Sequence, residues 1–155
     1  MKKTEYKQGL VTKPIYEIGR NIGVKGRQFP TMTYMSNDLV PGSDVYVEFS
    51  WIWEVPEPNP LIGEHQHEYD QIVLHIGSDP SNPEDLGAEF EIGIDGEPIT
   101  INRTHSLYLP KGLKHGPIKW RRVDKPIIEM TIVLGAGTAE AASPGGNRRQ
   151  SAQTA

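Results

Sequence analysis

The segment at 44–55, which reads DVYVEFSWIWEV, alternates between apolar and polar side chains with a period of two. The apolar members stand at every second position from Val45 to Trp53, and polar residues such as Glu48 and Ser50 fall between them. Successive side chains of a β-strand point to opposite faces, so this alternation predicts a strand with one face on a core. The predicted core face is the one that carries the two tryptophans.

Further strand-like runs follow, separated by polar segments rich in glycine and proline. The chain has 16 glycines and 13 prolines, which favours turns over long helices, and Asp95-Gly96 is a typical hairpin turn. Short strands with regular turns predict an all-β sandwich or barrel. The predicted strands cover 62–67, 71–76, 88–94, 98–102, 106–109, 117–123 and 126–134.

The length of 155 residues fits one domain. We expect an irregular arm over 1–30, a β-barrel over 31–135 and a disordered tail over 136–155, because the tail has no apolar period. No apolar run follows the first lysines, and no stretch is long enough to span a bilayer. We therefore expect a cytoplasmic protein that does not bind membranes.

The composition limits which partners the chain can bind and which side chains can hold a metal. The net charge is −4 and the basic residues are scattered, so nothing indicates a nucleic acid partner. Cysteine is absent, which excludes disulfides and thiolate ligands. A metal in this protein must be held by histidine, carboxylate, amide or water.

Two distant segments supply candidate metal ligands. His65 and His67 stand one residue apart, so on a strand both imidazoles point to the same face. The run LPKGLKH ends at His115, with Pro110 and Gly112 forming a turn just before it. A fold that brings these segments together makes a three-nitrogen pocket for a divalent transition metal.

These two segments resemble the cupin family, whose motifs read G-x5-H-x-H-x3,4-E-x6-G and G-x5-P-x-G-x2-H-x3-N. The three histidines match, as do the proline and glycine of the second motif. The sequence departs at Leu61 and Thr104 in place of the leading glycines, at Gln71 in place of the glutamate, and at Lys119 in place of the asparagine. The resemblance covers about 45–134 and implies a double-stranded β-helix, or jelly-roll barrel.

The resemblance implies that His65, His67 and His115 are metal ligands. The fourth position falls on Gln71, whose neutral carbonyl oxygen is a weaker ligand than a carboxylate. Asp70 replaces it if a bulge shifts the register. His75 is a further candidate, as fourth ligand, as partner of a ligand or as catalytic base.

Other candidate site residues lie outside the two motifs. His75 and Glu129 are predicted catalytic acid–base groups, although Glu129 also suits a buried ion pair. Trp53 and Tyr34 are candidates for lining a substrate pocket. Arg121 shares the parity of His115 and is a candidate partner for a substrate carboxylate.

We expect a metal-dependent enzyme acting on a small organic molecule, through dioxygenase-type chemistry or a lyase- or isomerase-type reaction. Fe(II) is the favoured metal, with Mn, Ni and Zn as alternatives. A non-catalytic small-molecule binding or sensor module is the alternative, and a purely structural domain with an empty site is the third. The resemblance also implies a homodimer, since single-domain cupins tend to be dimers, and Val45–Val55 and the N-terminal arm are candidate interface elements because long apolar edge strands need covering.

Overall fold

A computed structural model describes residues 7–17 and 24–137 of the chain. The predictions made for 1–6, 18–23 and 138–155 lie outside the described residues. Within them the fold is all-β, as predicted. Besides a 3-10 turn at Lys7–Gly9, the strands are β1 (Ile15–Glu17), β2 (Lys25–Arg27), β3 (Thr31–Met35), β4 (Val45–Glu57), β5 (Asp70–Gly77), β6 (Asp85–Ile94), β7 (Glu97–Arg103), β8 (His105–Leu109), β9 (His115–Val123) and β10 (Ile127–Leu134).

The strands form two antiparallel sheets. The larger sheet has the order β1-β3-β4-β10-β5-β8, with β2 pairing on β4, and the smaller sheet has the order β7-β6-β9. Neighbours such as β4 and β10 are far apart in sequence, as expected of a jelly roll rather than of a simple meander. The described part of the predicted arm is not irregular throughout, because it contributes β1 and β2 to the larger sheet.

The main core lies between the two sheets. Ile52 and Ile127 from the larger sheet pack with Leu86, Phe90 and Trp120 of the smaller one. All five are at most 8% exposed. Burying an aliphatic or aromatic side chain of this size stabilises a fold by about 2 kcal/mol.

The strand predicted at 44–55 is present as β4, but the prediction of its core face is wrong. Tyr46, Ser50 and Ile52 are buried, whereas Trp51 is 39% and Trp53 is 48% exposed. Alternation shows that a strand has two unlike faces, and it does not show which face the opposing sheet covers. The apolar face of β4 therefore points out of the barrel.

A second difference concerns the strand predicted at 62–67. This stretch forms no strand, and only His65 makes an isolated bridge, to His115. The hairpin predicted at Asp95-Gly96 is confirmed, since it joins β6 to β7 and both residues have positive φ, 48° and 82°.

Candidate metal centre

Three histidines converge at one end of the barrel. One ring nitrogen from each of His65, His67 and His115 lies within 4.8 Å of the others. The ring centroids are 4.4 Å apart for His65 and His115, and 5.1 Å apart for His67 and His115. The predicted meeting of the two motifs is therefore confirmed, and among the described residues the triad forms a group that could hold a metal.

Backbone hydrogen bonds hold the two segments together. The amide of His65 donates to the carbonyl of His115 at 2.9 Å, and the amide of His115 donates back to His65 at 2.9 Å. The amide of Gly112 donates to the carbonyl of His67, also at 2.9 Å. A local backbone clamp of this kind replaces the regular strand that the sequence suggested.

Glycine is required where the segments approach most closely. Gly116 has a φ of +85°, and a Cβ there would lie 3.0 Å from the carbonyl oxygen of Gly63 and 3.6 Å from Cε1 of His65. A side chain at this position would push the two motifs apart.

The outer ring nitrogens of two of the histidines are fixed by backbone carbonyls. Nδ1 of His65 donates to the carbonyl of Gly63 at 2.8 Å, and Nδ1 of His115 donates to that of Leu113 at 2.9 Å. A carbonyl only accepts, so each Nδ1 carries a proton and Nε2 is the ring nitrogen left for a metal. Metal-bound histidines are held in this way.

The Nε2 atom of His115 shows that this arrangement suits a metal. It is buried, and it has no hydrogen-bond partner among the described residues. A buried nitrogen without a partner is costly unless a further ligand satisfies it. Burial, followed by repulsion from His65, lowers the pKa of His115, although the carbonyl of Leu113 opposes the shift. The neutral ring that a metal requires is therefore favoured.

Tyr69 is a neighbour of the triad that sequence reasoning missed. Its hydroxyl lies 2.9 Å from Nδ1 of His67, and the two rings stack with centroids 4.7 Å apart. The available signal was its place in the sequence, two residues after His67. Tyr69 fixes the orientation of His67 as the carbonyls fix the other two rings.

Gln71 and Asp70 lie on opposite faces of β5. Gln71 is 7% exposed and faces the interior as the second residue of β5, four positions after His67. Asp70 accepts a hydrogen bond from the amide of Lys111 at 2.8 Å, which, with Tyr108, lowers its pKa. The alternative in which Asp70 replaces Gln71 is therefore not supported by this register.

His75 and Glu129 form a separate buried cluster. Nε2 of His75 donates to Oε2 of Glu129 at 2.8 Å, and Arg27 donates to Oε1 at 3.1 Å. His75 is four residues from Gln71, about 13 Å along the strand, and its ring packs 4.5 Å from that of Phe90. The structure thus does not bring His75 and Glu129 beside the triad, and their catalytic role stays a prediction.

The remaining predicted pocket residues lie on outer surfaces. Trp53 is 48% exposed on the outer side of β4, and Tyr34 stacks on Phe49 with centroids 5.2 Å apart. Arg121 forms ion pairs with Glu91 at 2.8 Å and with Glu89 at 3.5 Å. None of these contacts involves the triad, so their part in a substrate pocket stays a prediction.

Known proteins resemble this chain in structure rather than in sequence. No protein-family model and no curated protein matches the sequence. Among solved structures, the chain is similar to a cupin protein from Bacteroides fragilis, with 22% identity, coverage of 70% of this chain and 80% of that one, and a TM-score of 0.44.

Two further structures are similar to the chain. A cupin superfamily protein from Desulfitobacterium hafniense is 16% identical over 75% of this chain and 81% of that one, with a TM-score of 0.45. A DMSP lyase from Ruegeria pomeroyi is 22% identical over 60% of this chain and 40% of that one, with a TM-score of 0.38. The solved structures that resemble the chain thus include cupins, as the two histidine motifs indicated.

The described residues contain no helix long and apolar enough to cross a membrane. The expected cytoplasmic location stays a prediction.

Proposed function

We propose that this chain is a metal-dependent cupin enzyme acting on a small organic molecule, with His65, His67 and His115 as metal ligands. The observation that carries the proposal is the buried, unpartnered Nε2 of His115 beside two more imidazoles. Ring orientations fixed before the metal arrives make a preorganised site. Fe(II) is the favoured metal, and Mn, Ni and Zn are alternatives for the same nitrogen set.

Gln71 is the proposed fourth ligand, through its carbonyl oxygen. Every ligand in this set is neutral, so the protein itself would leave the charge of a divalent cation uncompensated. This favours a substrate that brings an anionic oxygen to the site. When bound, the metal would supply Lewis acidity and, in the case of iron, activation of dioxygen.

Dioxygenase-type chemistry is the leading proposal. The acid–base groups suggested by the sequence, His75 and Glu129, are tied to each other and to Arg27. These contacts leave His75 and Glu129 less suited to act as bases on a metal-bound substrate, whereas a dioxygenase whose substrate chelates the metal does not depend on them.

A lyase- or isomerase-type reaction is the second candidate, and Tyr46 is the observation that favours it. Tyr46 faces the interior in the same register row as Gln71, with Val133 between them. Its hydroxyl donates to Oε2 of Glu48 at 3.0 Å. Burial, followed by the charge of Glu48, raises the pKa of Tyr46 well above its ordinary value, so the phenol would stay neutral and would orient a substrate rather than give up its proton.

The test combines metal analysis with activity. Purified protein is analysed for bound metal, stripped, and reloaded with Fe(II), Mn, Ni or Zn. Oxygen uptake is then followed with β-diketones, catechols and thiols. We expect His65→Ala and His115→Ala to lose the metal, and His105→Gln, a histidine away from the triad, to retain it.

The outcomes separate the candidate functions. Oxygen uptake with Fe(II) supports the dioxygenase. Turnover that consumes no oxygen, and that is slower in Tyr46→Phe, supports the lyase or isomerase. Binding of small molecules without any turnover would instead assign the chain to the sensor alternative. If the protein binds none of the four metals, and adding them does not change its melting temperature, the chain would be a structural domain.

A further inference from the structure

The two sheets face each other in an alignment that sets the level of the triad in the barrel. A Cβ on Gly77, at the end of β5, would meet the carbonyl oxygen of Asp85, at the start of β6. Further along, the ring of His75 packs 4.5 Å from that of Phe90. The two strands therefore run in roughly opposite directions, and the start of β5 lies level with the end of β6. His115 pairs with that end of β6, so the start of β5 is at the level of the triad.

Glu48 faces the interior one row further into the barrel. Tyr46 and Gln71 both stand opposite Val133, so they share the row at the level of the triad. Glu48 and Thr131 belong to the next row, about 7 Å further along the strands. Tyr46 is buried on the inner face, and its hydroxyl donates to Oε2 of Glu48 at 3.0 Å, so both side chains point inwards.

Solvent reaches the inner face at the depth of Glu48. Glu48 and Thr131 are both only partly buried. In the row beyond them, the side chain of Glu129 is still 18% exposed, and that of its partner Arg27 is 14% exposed. A group of a bound small molecule therefore has access to the carboxylate of Glu48.

The carboxylate of Glu48 has no cation beside it in the described part of the chain. None of the ion pairs between described residues includes Glu48. Glu129, in the neighbouring row, is by contrast held by Arg27 at 3.1 Å. A partly buried carboxylate without a countercharge is destabilising, and a cationic ligand removes that cost. The row of Glu48 is therefore suited to a positively charged group of a ligand.

Two buried hydroxyl groups fix the position of this carboxylate. The hydroxyl of Tyr46 is hydrogen-bonded to that of Thr33 at 2.8 Å and donates to Oε2 of Glu48. Tyr46 is 3% and Thr33 0% exposed. Burial, followed by the charge of Glu48, raises the pKa of Tyr46, so the phenol keeps its proton and remains a donor. Oε2 is thus occupied, and Oε1 is the oxygen left for a ligand.

We propose that Glu48 binds a protonated amine of the substrate while an anionic oxygen of the same molecule binds the metal. This rests on the proposed function, because the metal holds the other end of the substrate. Glu48 is separated from Gln71 by about 10 Å across the sheet and by about 7 Å along it. The amine and the carboxylate of an α-amino acid are attached to one carbon and do not span this gap. The substrate is therefore an amino acid with several carbons between its two charged groups.

The test is the binding of a chain-length series to the full chain loaded with Zn, which has no redox chemistry. Glycine, β-alanine, γ-aminobutyrate and δ-aminovalerate are each compared with the acid that lacks the amine, by isothermal titration calorimetry. We expect the wild type to bind one of the longer amino acids at least about tenfold more tightly than its amine-free acid. This preference should vanish in Glu48→Gln. Glu54→Gln, which removes an exposed charge from the same strand, is the matched control and should keep the preference.

Several results would overturn the proposal. Equal binding of aminated and amine-free acids does so, as does no binding of any of them up to about 50 mM. A preference that survives in Glu48→Gln places the amine elsewhere, and loss of the metal from this variant would make Glu48 a ligand instead.

A variant that fails to fold by circular dichroism has a replacement. If Glu48→Gln does not fold, Glu48→Asp takes its place: the shorter side chain should lengthen the preferred amino acid by one carbon, and an unchanged preference counts equally against the proposal. A wild type that binds no metal overturns the proposed function and this inference together. Metal binding without a preference for the amine overturns this inference alone.

Discussion

Nε2 of His75 and Oε2 of Glu129 lie 2.8 Å apart between β5 and β10, in a polar cluster enclosed by the barrel. On its other side, Nδ1 of His75 lies 3.1 Å from Nε2 of His105, whose own Nδ1 donates to the carbonyl of Arg103. Arg27 brings a permanent positive charge to the same carboxylate, with its guanidinium nitrogen 3.1 Å from Oε1 of Glu129.

Replacing Glu129 by glutamine should destabilise the fold by about 3 kcal/mol at neutral pH, because it leaves a buried positive charge without its partner. Burial by itself raises the pKa of Glu129, but Arg27 and His75 outweigh burial and hold the pKa at about 2, below its ordinary 4.5. The carboxylate's contribution is thus complete above pH 4.5 and is lost as the pH falls towards 2.

Urea unfolding of wild type and Glu129→Gln across this range measures the effect. The difference in unfolding free energy between the two proteins should shrink as the pH falls from 4.5 towards 2. Glu84→Gln is the control, since Glu84 pairs with Arg103 at the surface and its side chain is 80% exposed. A difference that stays constant with pH would show that Glu129 acts only by its shape.

Gly116→Ala should separate the two histidine segments. Its Cβ would meet the carbonyl of Gly63 at 3.0 Å, next to the backbone pair of His65 and His115. Gly96→Ala is the matched control, because Gly96 has nearly the same φ, +82° against +85°, and no atom within 4 Å of the added Cβ.

Both glycine variants should lose about 1–2 kcal/mol from the left-handed backbone alone. Gly116→Ala should lose more, and it alone should weaken metal retention. Thermal unfolding and metal titration of the two variants measure this. Equal losses of stability with equal metal affinity would mean that the close approach of the segments does not shape the site.

Tyr69→Phe should weaken metal binding by about 10- to 100-fold while the fold is kept, because the hydroxyl orients His67 through Nδ1. The stacked ring remains in the variant, so only the hydrogen bond is removed. Tyr108→Phe, which alters a hydroxyl at the surface, serves as control. Competition with a chelator gives the metal affinities. If Tyr69→Phe binds the metal as tightly as the wild type does, Tyr69 contributes only packing to the site.

The sequence predicts the strands and the triad because both depend on short patterns. Alternation identified β4, and the spacing of Pro110, Gly112 and His115 identified the second motif. The contact between Arg27 and Glu129 joins residues 102 positions apart. No local pattern encodes such a pairing, since it depends on the order of strands in the sheet.

The face of β4 shows a second limit. Its alternation is compatible with either side being buried, and the structure buries Tyr46 and Ser50 rather than Trp51. The reason lies outside the strand. The inner polar groups of β4 have partners on β2 and β3, since Arg27 donates to Ser50 and Thr33 is hydrogen-bonded to Tyr46. Only tertiary structure supplies these partners.

Gln71→Glu should tighten metal binding by about tenfold or more. Gln71 is buried on the inner face at the triad end of β5, so a carboxylate there would add negative charge to an otherwise neutral ligand set. The same charge would compete with an anionic substrate, so substrate affinity should fall as metal affinity rises.

The control for Gln71→Glu is Ile72→Glu, which places the same carboxylate one residue along on the opposite face of β5. Isothermal titration with the stripped proteins gives both metal affinities. If the two variants bind the metal as the wild type does, Gln71 is not a ligand and the fourth position belongs to water or substrate. If only Gln71→Glu binds the metal more tightly, the fourth ligand is the side-chain oxygen of residue 71.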